Sequence, residues 1–271
     1  MTRPIEDDPL SRLWVAGPVS GVLGLLGVDG EVGEPANVVG VGDSGVDRPV
    51  MAVEVRPDDL IEPLDIVLAD GSTLMRASRF YGVASIGGVP TAMVAIVDPS
   101  REASLESGRS QTVLQLVPLD GSATTDVDLF GWESGPVSIA VRNDRLVVAS
   151  AAEACFGVEE LGVDGQPTSD LPLVDFVCGE ASVDAVGMGP GESTSVAWST
   201  GESTRVDTVA PDRAVTSSIA LNGPAPVLDI ATERDVIIVL RRGELTTIRA
   251  GQIRATVKVP DDVVSIALRT G

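Results

Sequence analysis

The chain has 271 residues, of which 44% are hydrophobic but only 3% aromatic, so valine, alanine, leucine and isoleucine must fill its core. Its formal net charge of −21 repels nucleic acid and anionic membranes, which bind clustered basic residues, and neither is an expected partner. The chain has no histidine, which excludes histidine-dependent catalytic triads and the commonest zinc ligand. The acidic residues are spread along the chain, which favours the general surface charge typical of a salt-adapted host or a GC-rich genome over a functional acidic patch.

The first part of the chain contains an apolar stretch over residues 13–28. It is short for a membrane span and is interrupted by glycine and proline, so we interpret it as two buried strands with a turn near Gly17 and Pro18. The residues before it are acidic and lack the basic segment of a signal peptide. A leader removed upstream stays open as an alternative.

Beyond this stretch the pattern is that of short strands separated by turns. Apolar runs of five to eight residues are bounded by Gly, Asp, Pro and Ser, and turn pairs such as Asp70-Gly71 and Asp164-Gly165 separate them. The clearest predicted strands, in chain order, are Val50–Val55, Ala92–Val97, Val113–Val117, Arg145–Ala149, Val236–Leu240 and Arg254–Val259. The chain is therefore predicted to be all-β.

An internal repeat of about 45 residues organises these strands. Residues 137–149 align with residues 228–240, two repeats further on, and similar patterns begin at residues 38, 83, 183 and 264. The last copy stops at Gly271, and the residues before position 38 restore its full length. We therefore expect the strand at 263–269 to be the inner strand of one blade, whose other strands lie at 13–16, 22–26 and near residue 31.

Repeats of this length, with four strands each and a last copy completed by the chain start, resemble the β-propeller superfamily. The resemblance implies a six-bladed β-propeller over residues 1–271, formed as a single domain, with the C-terminal strand closing the N-terminal blade. Such closure removes free sheet edges. A pair of β-sandwiches is the competing interpretation. No motif of a particular propeller subfamily is present, so no site residues carry over.

Cys155 and Cys178 are the only cysteines. They are expected on the third and fourth strands of the repeat that begins at residue 137, on either side of the turn at 163–168. We predict a cross-strand disulfide, which would stabilise the fold by roughly 3 kcal/mol and indicate an oxidising, extracytoplasmic compartment. Two buried free thiols and a cytoplasmic location are the alternative.

A polar insertion over residues 99–111 makes one repeat longer than the others. In a propeller this insertion would share a face with the blade-to-blade connections, where partners commonly bind. Its Arg101 and Arg109 could meet a carboxylate or phosphate, and Trp132 and Glu133 are expected in the next connection on the same face. A solvated loop and a tryptophan that seals a gap between blades are the alternatives.

Three further residues are candidates for the central channel. Asp184 and Asp229 are predicted at matching positions of adjacent inner strands, and Tyr81 opens another inner strand. The two carboxylates support an alternative function, a metal-dependent propeller hydrolase or lactonase. The acidic turns at 43–47 and 120–128 do not match a calcium-binding loop, so no cofactor is expected and Ca²⁺ is the ion left open.

Together these patterns predict a non-catalytic recognition module. We expect a monomer that binds a protein or polymer partner on one propeller face, through the residues named in the insertion and the next connection. That expectation depends mainly on the fold and on the missing histidine rather than on a motif.

Overall fold

The computed structural model describes residues 9–24, 31–32, 37–46, 48–59, 61–98, 111–127, 136–152, 155–179 and 181–269. Within these ranges, 24 strands form six antiparallel sheets of four strands each. The inner strands of neighbouring sheets contact one another in a closed ring, so each sheet is one blade of a six-bladed β-propeller. The predicted fold class is confirmed.

Blade 1 contains strands from both ends of the chain. Its inner strand β24 (Ser265–Leu268) pairs with β1 (Leu13–Gly17), which is followed outward by β2 (Gly21–Gly24) and β3 (Glu31–Val32). The pairing of β1 with β24 runs in register from Leu13 opposite Leu268 to Ala16 opposite Ser265. A single 3₁₀ turn, Pro9–Arg12, precedes β1 in the described part of the chain. The predicted closure of the N-terminal blade by the C-terminal strand is confirmed.

The other five blades follow chain order, each from its inner to its outer strand. Blades 2 and 3 comprise β4 (Val38–Gly42), β5 (Val50–Glu54), β6 (Leu64–Val67), β7 (Thr73–Ala77), β8 (Arg79–Ile86), β9 (Val89–Val97), β10 (Thr112–Pro118) and β11 (Thr125–Val127). Blades 4, 5 and 6 comprise β12 (Pro136–Arg142), β13 (Arg145–Ala152), β14 (Cys155–Gly162), β15 (Val174–Cys178), β16 (Ser182–Met188), β17 (Thr194–Ser199), β18 (Thr204–Val209), β19 (Val215–Leu221), β20 (Val227–Glu233), β21 (Val236–Arg241), β22 (Glu244–Arg249) and β23 (Gln252–Lys258).

The antiparallel order gives the propeller two faces. The turns that join first to second and third to fourth strands lie on one face, called here the hairpin face. The links from second to third strand and from blade to blade lie on the other, called here the connection face. Asn143 and Asp144 form a two-residue hairpin turn with φ of 47° and 59°, the left-handed conformation that such tight turns require.

The hydrophobic core lies between the blades. One cluster joins Leu13 and Val15 of blade 1 to Ile238 and Leu240 of blade 6, and all four side chains are buried. The remaining clusters are likewise mostly aliphatic and span neighbouring blades. Branched aliphatic side chains suit a pleated sheet buried on both faces, so a core with few aromatics is sufficient here.

Asp262 secures the closed blade on the connection face. Its Oδ1 accepts a hydrogen bond from the hydroxyl of Ser20 at 2.7 Å, and its Oδ2 accepts from the N–H groups of Ser20 at 2.7 Å and Val19 at 2.9 Å. Burial raises the pKa of Asp262, but these hydrogen bonds outweigh burial and hold it below its usual value. The carboxylate therefore ties the segment before β24 to the turn between β1 and β2.

Among the described residues, no helix has the length and apolar character needed to cross a membrane.

Candidate functional site: the central channel

The inner strands of all six blades surround a central channel. Its volume is about 430 Å³, and its wall includes residues of β4, β8, β12, β16, β20 and β24. Each repeat therefore contributes to one shared cavity, and the side chains that line it decide what chemistry the channel can support.

A β-bulge in each of five inner strands presents one side chain to the channel. In each of these strands, one residue has no partner in the pairing with the second strand of the same blade. A bulge of this kind redirects the side chain of the unpaired residue. The skipped residues, all of which line the channel, are Val39, Tyr81, Val137, Asp184 and Leu228. Among these five bulge residues, Asp184 is the one with a charged side chain.

Asp184 joins blade 5 to blade 6. Its Oδ2 accepts a hydrogen bond from the N–H of Val227, the first residue of β20, at 3.0 Å. Its Oδ1 accepts from the hydroxyls of Ser199 at 2.6 Å and Ser182 at 3.1 Å. Three donors thus occupy the carboxylate, and it acts as a link between two inner strands.

Asp229 joins blade 6 to blade 1 in a similar way. Its Oδ2 accepts hydrogen bonds from the N–H of Ile266 at 2.9 Å and the hydroxyl of Ser265 at 3.1 Å, and its Oδ1 accepts from the N–H of Ile230 at 2.8 Å. Burial raises the pKa of Asp229 to about 6, because the desolvation of its charge outweighs these hydrogen bonds. The charged form is therefore costly at the junction that closes the ring.

The repeat alignment predicts matching positions for the two carboxylates, and each is the third residue of its inner strand, but the bulge falls one residue apart in the two strands. Asp184 is itself the bulge residue of β16, whereas Asp229 follows the bulge of β20. Each carboxylate bonds to a different neighbouring blade, Asp184 to blade 6 and Asp229 to blade 1. Their contacts suit the joining of strands rather than the coordination of an ion or the activation of water.

Two serines that the sequence analysis does not single out also link neighbouring inner strands. The hydroxyl of Ser138 in β12 accepts a hydrogen bond from the N–H of Val186 in β16 at 3.1 Å. The hydroxyl of Ser265 in β24 accepts one from the N–H of Val41 in β4 at 3.3 Å. The signal in the sequence is a polar residue directly after the apolar residue that begins the repeat, as in Val137-Ser138 and Val264-Ser265.

Tyr81 lines the channel, but its hydroxyl is engaged at the next junction. It donates a hydrogen bond to the carbonyl of Pro136 in blade 4 at 3.1 Å, and the guanidinium of Arg79 donates to the same carbonyl at 3.1 Å. Burial raises the pKa of Tyr81 to about 12, so the phenol stays protonated as a donor. Its contacts are those of a residue that joins blades 3 and 4.

The acidic turns considered for calcium contain local hydrogen bonds. Oδ1 of Asp120 accepts from the N–H of Ser122 at 2.9 Å, and Oδ1 of Asp43 accepts from the N–H of Gly45 at 3.3 Å. Such contacts are typical of Asx turns, which fix backbone geometry. In the described ranges no three carboxylate or cysteine side chains are grouped so that they could hold a metal ion. Asp47 and Asp128 lie outside those ranges.

The residues predicted to bind a partner fall outside the described residues. These are Arg101 and Arg109 in the insertion and Trp132 and Glu133 in the next connection. Residues 99–111 link β9 to β10 and residues 128–135 link β11 to β12, and the described strand ends on either side of both segments lie on the connection face. The N–H of Asp98 donates to the carbonyl of Gln111 at 2.9 Å, which closes the base of the insertion.

Cys155 and Cys178 form the predicted disulfide. The two residues lie directly opposite each other in the pairing of β14 with β15, the third and fourth strands of blade 4. The bond ties the outer strand of this blade to its neighbour, and the prediction is confirmed.

Comparison with known proteins reveals similarity of fold alone. No family model matches the chain, and no curated protein is similar to it in sequence. A chain in the crystal structure of a nidogen/laminin complex is similar over 94% of this chain and 97% of its own length, with a TM-score of 0.58 and 11% identity. A protein of unknown function from Bacteroides caccae has the same coverage and TM-score at 12% identity. A chain in the structure of BBS1N in complex with ARL6DN is similar over 85% of this chain and 69% of its own length, with a TM-score of 0.50 and 15% identity.

Proposed function

We propose that this protein is a non-catalytic recognition module that binds a protein or polymer partner across its connection face. The observation that carries this proposal is the use of the channel carboxylates: Asp184 and Asp229 are engaged in joining neighbouring blades. The ring is thus a scaffold that presents its loops, and binding residues concentrate on loops held by a rigid framework.

The fold similarities favour a protein among the partners. Two of the similar folds come from structures of complexes between proteins, nidogen with laminin and BBS1N with ARL6DN. That support is by analogy of fold, and the contact residues proposed for this chain are its own: Arg101, Arg109, Trp132 and Glu133. Aromatic and arginine side chains are the types that most often dominate such contacts.

The test is a truncation of the insertion combined with a substitution in the next connection. Residues 100–110 are replaced by a short glycine-serine linker, which leaves Asp98 bonded to Gln111, and Trp132→Ala is added. In affinity capture and cross-linking from the native organism, this variant is expected to lose partners that the unmodified protein retains. Arg234→Asn on the hairpin face is the control and should retain them. Partner binding that survives in the truncated variant refutes the proposal.

We also infer that the protein works in an oxidising compartment, because a disulfide between Cys155 and Cys178 persists only there in most organisms. Protein isolated from its native source under rapid thiol alkylation should therefore carry no alkylated cysteine. Alkylation of both residues would place the protein in a reducing compartment.

No contact in the described channel favours the alternative of a metal-dependent hydrolase or lactonase. Asp184 and Asp229 already accept hydrogen bonds from neighbouring strands. A marked rise in melting temperature on addition of Ca²⁺, abolished by Asp184→Asn, would revive that alternative.

A further inference from the structure

A second concavity lies on the hairpin face, between blades 4 and 5. Its volume is about 410 Å³, close to that of the channel. Four separate turns and links meet there: those between β12 and β13, β14 and β15, β16 and β17, and β18 and β19. We call it the arginine groove, after Arg142, Arg145 and Arg213 in its wall.

The charge of the arginine groove is opposite to that of the molecule. Three arginines and two glutamates, Glu160 and Glu192, line it, which gives a formal charge of about +1. The whole chain has a formal charge of −21 and only 19 basic residues. Three basic side chains around one cavity are therefore a local concentration that an acidic chain does not produce by composition alone.

Arg142 and Glu160 form a buried ion pair in the wall of the groove. Nη2 of Arg142 lies 2.5 Å from Oε2 of Glu160, and Nη1 of Arg145 donates to Oε1 of Glu160 at 2.7 Å. The hydroxyl of Thr168 also donates to Oε1 at 3.0 Å. Burial raises the pKa of Glu160, but these hydrogen bonds outweigh it and hold the pKa below its usual value. Glu160 is therefore ionised, and its two carboxylate oxygens already accept hydrogen bonds from three side chains of the protein.

The guanidinium of Arg142 retains donor capacity. Its side chain is 8% exposed, and its Nη1 has no hydrogen-bond partner among the described residues. A buried donor without a partner costs free energy, and a charged donor costs more than a neutral one. Nη1 is itself buried, so an acceptor oxygen would recover that cost only if the side chain shifts toward the groove. The exposed cations that an anionic ligand meets first are Arg145 and Arg213.

Arg213 supplies a second cation on the opposite side of the groove. It occupies the turn between β18 and β19 with φ of 72°, and it is exposed. No ion pair of its guanidinium occurs within the described ranges. Leu171, which is 53% exposed, also lines the groove and offers an apolar contact.

We propose that the arginine groove binds a single carboxylate of a partner peptide, with an apolar residue of that peptide against Leu171. A carboxylate matches the groove in charge, because the groove carries about one positive charge in excess, and in shape, because guanidinium groups bind carboxylates through paired hydrogen bonds. The groove lies on the hairpin face, so this site is independent of the recognition function proposed for the connection face.

The test uses short peptides that differ in one group. Acetyl-Leu-Glu-Leu-amide is titrated into ¹⁵N-labelled protein at low salt, with acetyl-Leu-Gln-Leu-amide as the neutral control. The glutamate peptide is expected to bind about tenfold more tightly, as is typical when a hydrogen bond gains a charge. The shifted amide signals should centre on Arg142, Arg145 and Arg213, and the difference should shrink at high salt.

Two matched variants locate the site. Arg213→Asn removes a groove cation and should weaken the glutamate peptide several-fold. Arg234→Asn is the control, because Arg234 is also exposed, also has a positive φ of 52°, and lies in a turn of the same face outside the groove. Asparagine tolerates this backbone conformation, so both variants should fold. Equal binding of the two peptides, or equal loss in the two variants, overturns the proposal.

A third peptide decides the class of anion. Acetyl-Leu-phosphoserine-Leu-amide carries close to two negative charges and should bind less tightly than the glutamate peptide if one carboxylate is what the groove fits. Tighter binding of the phosphopeptide would assign the groove to phosphate instead and would overturn the carboxylate assignment. Absence of binding by the glutamate peptide at millimolar concentration would overturn it as well.

Discussion

Among the described residues, five of the six junctions between neighbouring inner strands contain a hydrogen bond between a side chain and the backbone, and the junction of blades 2 and 3 differs. From blade 4 round to blade 2, a polar side chain of one inner strand bonds to the backbone of the next, through Ser138, Asp184, Asp229 and Ser265. Between blades 2 and 3 the inner strand β4 has no polar side chain, and its glycines pack directly on β8 instead.

The glycine contact is limited by size. A Cβ added at Gly42 would lie 2.6 Å from Cγ2 of Val83 and 2.8 Å from its backbone nitrogen. The polar junctions are limited by charge and by hydrogen-bond geometry instead. The comparison teaches that one repeat length allows either chemistry, and that a junction with a buried carboxyl group, as at Asp229, makes stability depend on pH.

The largest expected effect is at Asp229, which joins the inner strand of blade 6 to that of blade 1. Its pKa of about 6 in the folded protein, against 3.8 for an ordinary aspartate, corresponds to a cost of about 3 kcal/mol for the charged form. A raised carboxyl pKa means that the folded state takes up a proton first, so stability increases as pH falls through 6. Relative to Asp229→Asn, the unmodified protein should gain about 1 kcal/mol between pH 6 and pH 5, and about 2.5 kcal/mol between pH 7.5 and pH 4, in urea denaturation. A constant difference between the two proteins from pH 7.5 to pH 5 would contradict this.

A smaller effect is expected at the junction of blades 2 and 3. Gly42→Ala should lower the free energy of unfolding by about 1–2 kcal/mol, because the contact with the backbone of Val83 cannot be relieved by a side-chain rotation. The loss should not depend on pH. Gly201→Ala is the control, since a Cβ there meets no atom within 4 Å and the backbone needs no glycine. Equal stability of the two variants would show that β4 and β8 are not in tight contact.

The smallest effect is expected for a neutral polar junction. Ser138→Ala removes the acceptor for the N–H of Val186 and should cost about 1 kcal/mol in thermal or urea unfolding, at every pH. Ser218→Ala, on the exposed outer strand β19, should change stability by less than about 0.5 kcal/mol. If both substitutions are neutral, the hydroxyl of Ser138 does not hold blades 4 and 5 together.

Much of the fold follows from the sequence pattern because the repeat is regular. The predicted repeat starts at residues 38, 83, 137, 183, 228 and 264 fall on or next to the six inner strands, the largest offset being at β8, which begins at Arg79. The disulfide was predictable for a related reason: the two cysteines are equidistant from one hairpin turn, so pairing of the two strands brings them together.

The candidate sites were less predictable. A β-bulge shifts the register by one residue, and the repeat pattern alone does not show that the bulge falls at Asp184 in β16 but one residue before Asp229 in β20. The arginine groove brings Arg142 and Arg213 together from different blades, and no local spacing signals such a contact. Only the packing of complete blades creates it.

The sharing of blade 1 between residues 13–32 and 265–268 has a consequence for biosynthesis. The strand that lies innermost in the first blade leaves the ribosome more than 230 residues after its neighbour β1, so five blades can form while the first one lacks its inner edge. Ring closure is then a late event with a large sequence separation, which makes it slow compared with the folding of each blade. Until it occurs, β1 presents an unpaired edge that other chains could capture, and the nascent protein is most vulnerable to misassembly at that stage.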